Sequence, residues 1–333
     1  MRKLLILVSV AAAAAASEGY HAINKIHIGG AGGWDYATMD NSARRLYVSN
    51  STRVVVVDVD SGAVAGEIPD TQGVHGIALA PELNRGFTSN GRSNDVTIFD
   101  LKTLKALGQV KTGQNPDAII YDAASGRVLT FNGRSKDSTA FDAKTGDVAA
   151  TIPLGGKPEF AVVDGKGKIY VNVEDTSEIV EIDARKLAVT RRSSLAPCED
   201  PSGLAMDLKR RRLFSVCRNK MMVVTDADSG KILGTPAIGQ GTDGAGFDPS
   251  AGIAFSSNGD GTLTLVKEVA GKYEAVDSVT TERGARTMAV DGKTHRVYLP
   301  SAEYGPAPAP TEKQPRPRPP VLPDTFHILV VGK

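Results

Sequence analysis

Short apolar runs, each closed by Asp or Asn and a polar turn, succeed one another along the whole chain. The run RLYVSN at 45–50 is followed two residues later by the β-branched run RVVVVD at 53–58. Continuous runs of that length read as strands buried on both faces, and the more polar run at 64–68 reads as a strand with one face in water. Turns written DSG, KTG and DSG at 60–62, 144–146 and 228–230 lead into these polar strands. The same phrase recurs seven times. Aligned on Tyr47, Phe87, Leu129, Tyr170, Phe214, Phe255 and Tyr298, which open the second run of each unit, the steps are 40, 42, 41, 44, 41 and 43 residues. A unit this small cannot bury its own apolar face, and four-stranded units repeating about every 40 to 50 residues pack radially. The pattern predicts an all-β fold, a seven-bladed β-propeller, in a single domain over residues 20–333.

Inner strands are expected at 34–40, 74–80, 117–122, 159–164, 202–207, 243–248 and 286–291. Nothing after the last third strand, at 326–331, is long enough to give blade seven an outer strand. The run AINKIHI at 22–28 has the spacing and polarity of the other outer strands, so blade seven is expected to be closed by an N-terminal outer strand. One segment breaks the period: 301–324, inserted in blade seven, holds eight prolines. Proline cannot donate to a sheet ladder, so this insertion reads as a stiff surface excursion or a partner-recognition segment, with Lys313, Arg316 and Arg318 interleaved among the prolines.

The recurring YVSN (47–50), FTSN (87–90), LTFN (129–132) and FSSN (255–258) resemble the YVTN-type repeats of secreted seven-bladed propellers, and the chain is similar to periplasmic YncE-like and surface-layer propeller proteins. The resemblance is weaker where the asparagine position holds Val173, Cys217 and Ser301. It implies secretion and binding more than catalysis, and it transfers no active site. The asparagines themselves are expected to bond nearby backbone in a turn and to tolerate left-handed angles. The aspartates closing the inner strands (Asp40, Asp122, Asp164, Asp207, Asp248, Asp291) are expected to accept from the backbone of the following turn.

Both ends of the composition argument point outward from the cytoplasm. Arg2 and Lys3 precede an apolar run from Leu4 to Ala16, the pattern of a secretory signal peptide over 1–16, and the run is too short for a membrane span. Its removal moves the formal charge from +1 to −1, which gives no reason to expect a nucleic-acid partner. A periplasmic or secreted monomer without a transmembrane segment in the mature chain is expected. Two cysteines, Cys198 and Cys217, fall near one loop region and are expected to form a disulfide. The basic turn KRRR at 209–212 reads as a solvated turn, with an anionic surface or nucleic acid as the other reading, the latter disfavoured by the few aromatics available for stacking. GGAGG at 29–33 has no following helix and is not a dinucleotide fingerprint.

The candidate chemistry lies at equal offsets. One residue at the start of each inner strand (Asp35, His75, Asp117, Glu159, Ser202, Asp243, Arg286) should stand at the same height at one mouth of the channel. With Trp34 beside Asp35, these residues form a candidate pocket for a small molecule, a peptide or an envelope protein. Asp35, Asp117, Glu159 and Asp243 offer oxygen ligands for calcium, the one cofactor this ring suggests. A wet channel with Asp243, Arg286 and Asp35 paired is the plain reading. His75 is the one histidine near the ring, which argues against a zinc or copper centre. A non-enzymatic binding or envelope-associated protein is the leading expectation. The alternative is an exported hydrolase or lyase using two ring carboxylates as acid and base.

Overall fold

The computed structural model describes residues 19–30, 32–309, 311 and 317–333. The expected signal peptide at 1–16 lies outside the described residues, as do Lys313 and Arg316. The chain forms seven four-stranded antiparallel sheets, six of them simple meanders running from inner to outer strand. In the seventh, Ala289–Asp291 is innermost, followed by Arg296–Ser301, His327–Gly332 and the N-terminal strand His21–His27. His21 lies opposite Gly332 and His27 opposite His327, so both ends of the propeller are locked into one blade. Each inner strand packs on the next, and that of blade seven on that of blade one, which closes the ring of this seven-bladed β-propeller.

The cores lie between blades. All seven residues that set the sequence period are buried there. Third strands such as Arg53–Asp58 and Asp137–Asp142 bury their four central residues and expose only their ends, as strands covered on both faces must. Between blades seven and one, Leu46, Val48, Val55 and Val57 meet Phe326, Ile328 and Val330.

The turn aspartates act as expected. Asp40 Oδ1 accepts from the amides of Ser42 and Ala43 at 2.9 Å, and Asp207 does the same for Lys209 and Arg210. Asn90, Asn132 and Asn258 do not. None of Asn50, Asn90, Asn132 and Asn258 has a positive φ; each ends a strand in extended backbone. Asn90 Nδ2 donates to Thr97 Oγ1 at 2.9 Å and Asp95 Oδ1 at 3.0 Å, and Asn132 and Asn258 bond the equivalent third-strand side chains Thr139 and Thr264 at 3.0 Å. They tie the second strand to the third inside the blade, where an unpaired amide would be costly.

Left-handed angles fall on the turn residues themselves, such as Ser51, Asn94 and Lys136 before the third strands, and on the turn residue that follows each inner strand. Arg44, Arg211 and His295 have φ of 57°, 55° and 60°, and each side chain reaches the inner-strand aspartate of the preceding blade. Arg44 holds Asp291 at 2.8 Å, Arg211 holds Asp164 at 3.3 Å, and His295 lies 2.8 Å from Asp248. Arg211 also pairs with Asp228 at 2.8 Å, and Arg212 pairs with Asp226, so the KRRR turn is largely neutralised by its own surroundings.

Cys198 and Cys217 are joined, with a sequence separation of 19. A closed loop of that length is worth about 3 kcal/mol through the entropy it removes from the unfolded chain. Cys198→Ser/Cys217→Ser should lose that much in urea unfolding, and an unchanged midpoint would show that the bridge does not stabilise the fold.

The ends of the proline-rich excursion are pinned. Tyr304 pairs with Val321 across an isolated bridge, flanked by Gly305 N donating to Pro320 O at 2.9 Å and Leu322 N to Glu303 O at 2.8 Å. Asp324 Oδ1 accepts from Gly30 N at 3.0 Å, so the GGAGG loop seats the returning chain.

Candidate functional site at the channel mouth

Every ring residue except Arg286 sits at a break in strand register. The shift falls between Trp34 and Ala37, Val74 and Ile77, Pro116 and Ile119, Pro158 and Ala161, Pro201 and Leu204, and Thr242 and Gly244. A β-bulge bends its strand and re-aims a side chain, which here carries Asp35, His75, Asp117, Glu159, Ser202 and Asp243 to one end of the channel. In blade seven the expected inner strand at 286–291 shortens to Ala289–Asp291. Pro300 on the neighbouring strand has no N–H to offer.

The bulged backbone is held by buried hydroxyls of the second strands. Ser49 Oγ accepts from Asp35 N at 3.0 Å and donates to Tyr36 O at 3.2 Å. Ser89 Oγ accepts from Gly76 N at 2.9 Å and donates to Asp117 O of the next blade, and Ser257 Oγ donates to Arg286 O. In blade four Asn172 Nδ2 bonds Ser202 O at 3.0 Å and Gly203 O at 3.1 Å. Sequence reasoning missed this supporting tier. The signal was the serine that recurs one place before the asparagine in YVSN, FTSN and FSSN.

The ring side chains form a chain of opposite charges. His75 Nδ1 lies 2.6 Å from Asp35 Oδ2 and 3.7 Å from Asp117 Oδ1. Arg286 bridges the other oxygen of Asp35 at 3.3 Å and Asp243 at 2.7 Å. Glu159 pairs at 2.6 Å with Lys157, a residue the sequence did not single out, and Lys157 is shared with Glu174. Ser202 Oγ donates to Thr242 O at 3.4 Å. The four proposed calcium ligands are therefore not a free oxygen cage. Three of them already hold a base, and Asp117 is the one with only a distant partner. The compact group is Asp35, His75 and Asp117, whose ligand atoms all lie within 4.8 Å of one another. Trp34 stands apart. Its indole stacks on Phe326 at 5.5 Å and tilts against Tyr304 at 6.4 Å, between blades seven and one.

Burial and like charge push protons onto this ring. Burial, with the charge of Asp35 added and that of His75 opposing, lifts Asp117 to about 6. Burial and the neighbouring Asp117 lift Glu159 to about 8 against Lys157, and burial lifts Asp243 to about 7 against Arg286. For His75 burial alone would favour the neutral ring, but the Asp35 hydrogen bond and the charges of Asp117 and Glu159 outweigh it and raise the imidazolium to about 9. Beneath the ring, Tyr36 of blade one and Phe160 of blade four stack at 4.2 Å across the channel. Burial, and after it the charges of Asp117, Glu159, Asp35 and Asp243, hold the Tyr36 phenol well above its ordinary value. On the far side of this stack a cavity of about 660 Å³ opens to the opposite face past Met39, Leu79, Met206 and Leu208.

Among the described residues no helix is long and apolar enough to cross a membrane. No family model matches the chain, and no curated protein matches it. Among solved structures it is similar to a chain of Kuenenia stuttgartiensis hydrazine synthase, with 14% sequence identity, a TM-score of 0.71, and coverage of 81% of this chain and 92% of that one. At that identity the likeness is one of fold, and the fold it shares is the seven-bladed β-propeller.

Proposed function

We propose that this chain is an exported binding protein of the YVTN-repeat type, a periplasmic or secreted monomer whose channel mouth takes up the cationic group of a small molecule or peptide. One observation carries the reading: five partly buried carboxylates, the four of the ring and Glu174, share three bases, and the deficit is met by protons that Glu159 and Asp243 retain near neutral pH. A cation entering this mouth replaces those protons in an environment where an unpaired carboxylate is costly. The Cys198–Cys217 disulfide supports an oxidising compartment. A metal ion, calcium included, is the second reading, favoured by the convergence of Asp35, His75 and Asp117.

The protonation pattern fixes the direction of the pH test. Each shifted ring group has a folded pKa above its unfolded value, near 4 for the carboxylates and 6.5 for histidine. Their contribution is complete below those unfolded values and is lost as pH rises through about 6, 7 and 8 for Asp117, Asp243 and Glu159 and about 9 for His75. The melting temperature should fall from pH 5 to pH 9. Putrescine or calcium should restore it by mass action, most strongly at the alkaline end. Asp117→Asn/Asp243→Asn should flatten the pH dependence and abolish the restoration. Absence of any shift with amines, calcium or manganese at pH 8.5 would reject the cation reading.

A further inference from the structure

A second cavity, of about 450 Å³, lies between blade seven, blade one and the pinned ends of the proline-rich excursion. We infer that it binds a small oxyanion carried on a flat apolar body, such as an aryl carboxylate or aryl phosphate. Trp34, Tyr304 and Val321 supply its apolar wall, and Arg283 and Arg286 from one loop and Arg318 from the returning excursion line it. The volume falls within the range of ordinary small-molecule pockets.

The charges here are unlike those of the other basic cluster on this molecule. In the KRRR turn Arg211 and Arg212 face Asp228, Asp164 and Asp226. In this pocket Arg286 is committed to Asp35 and Asp243, but among the described residues neither Arg283 nor Arg318 has a carboxylate partner. All three guanidinium groups act on the Tyr304 hydroxyl. Burial raises its pKa, and Arg286, Arg283 and Arg318 each pull it back. Two uncommitted guanidinium groups beside an aromatic wall are suited to a planar oxyanion, which accepts their forked donors.

Two further observations point the same way. The Trp34 indole N–H is buried and has no acceptor among the described residues, an unusual state for a buried indole and one that a small shift of the Tyr304 wall would relieve through a bound acceptor. Gly284, at φ +86°, lines the pocket, and a Cβ there would fall 2.3 Å from Tyr304 Oη. Glycine therefore keeps the tyrosine in its place against the arginines.

The test uses an internal reporter, because Trp34 is the one tryptophan of the chain. Phenyl phosphate and benzoate, titrated at constant ionic strength, should change its fluorescence saturably, whereas benzyl alcohol should not. In Arg283→Gln/Arg318→Gln, both exposed positions, the apparent Kd for phenyl phosphate should rise at least tenfold at an unchanged melting temperature. Should the double variant fold poorly, Arg318→Gln alone should still raise it several-fold. No saturable change, an equal response to benzyl alcohol, or an unchanged Kd in the folded variants would each overturn the inference. Arg283 and Arg318 are not ring residues, so these outcomes stand apart from those of the cation test.

Discussion

Removing residues 326–333 should abolish the folded state rather than fray one edge. The deleted strand, His327–Gly332, is buried at all six positions and hydrogen-bonds on both sides, to Arg296–Ser301 and to His21–His27. Phe326, Ile328, Leu329, Val330 and Val331 each bury a full side chain, and at about 1.5 to 3 kcal/mol apiece they sum to roughly 10 kcal/mol. That is the scale of the whole net stability of a typical domain. The deletion also frees the N-terminal strand and unstacks Trp34. Circular dichroism should show lost β structure and no cooperative transition. Cooperative unfolding at the parent's midpoint would mean that blade seven is dispensable, against everything its pairing implies.

Arg44→Ala should be the most damaging of the single substitutions considered. The Asp291 side chain is 0% exposed and Arg44 is the cation that compensates it, at 2.8 Å, across the junction between blades seven and one. Stranding a buried carboxylate in this way costs about 3 kcal/mol or more. Burial opposes ionisation of Asp291, yet Arg44, the Thr294 hydroxyl and the Lys293 amide together hold it down at about 2. Its contribution is therefore present above the unfolded value near 4 and lost as pH falls through 2. In urea unfolding the variant should lose stability at pH 7 and show a shallower loss between pH 4 and pH 2. Adding Asp291→Asn should recover part of the deficit, since a neutral amide no longer needs the guanidinium. A variant as stable as the parent at pH 7 would show that the Thr294 hydroxyl and the backbone donors suffice for Asp291.

The fold was legible because a propeller writes its geometry as a period. Tyr47, Phe87 and their five counterparts occupy one structural position, and their spacing is the length of a blade. The height of the ring was legible for the same reason, since equal offsets along parallel inner strands give equal positions along the channel. What stood at that height was less so. Strict alternation along a strand says which residues share a face, but six of the seven inner strands slip by a bulge at the ring residue itself. Trp34 and Asp35, neighbours in sequence, consequently serve different cavities. Lys157 was invisible because it precedes the inner strand Pro158–Val163 and joins the ring only through the length of its side chain. The role of the asparagines was misjudged because the sequence shows the turn that follows Asn90 and hides Thr97, which lies across the ladder.

The Tyr36–Phe160 stack changes what kind of vessel this propeller is. An open toroid would let solute pass from face to face, and its two mouths would be alternative doors to one compartment. With two aromatic rings in contact across the bore, the molecule is instead a pair of back-to-back cups of opposite character, one acidic and one lined with methionine and leucine. A guest of the acidic cup must leave by the way it entered, so its residence time is set at that rim alone. Covering the other face would leave access to the acidic cup unchanged.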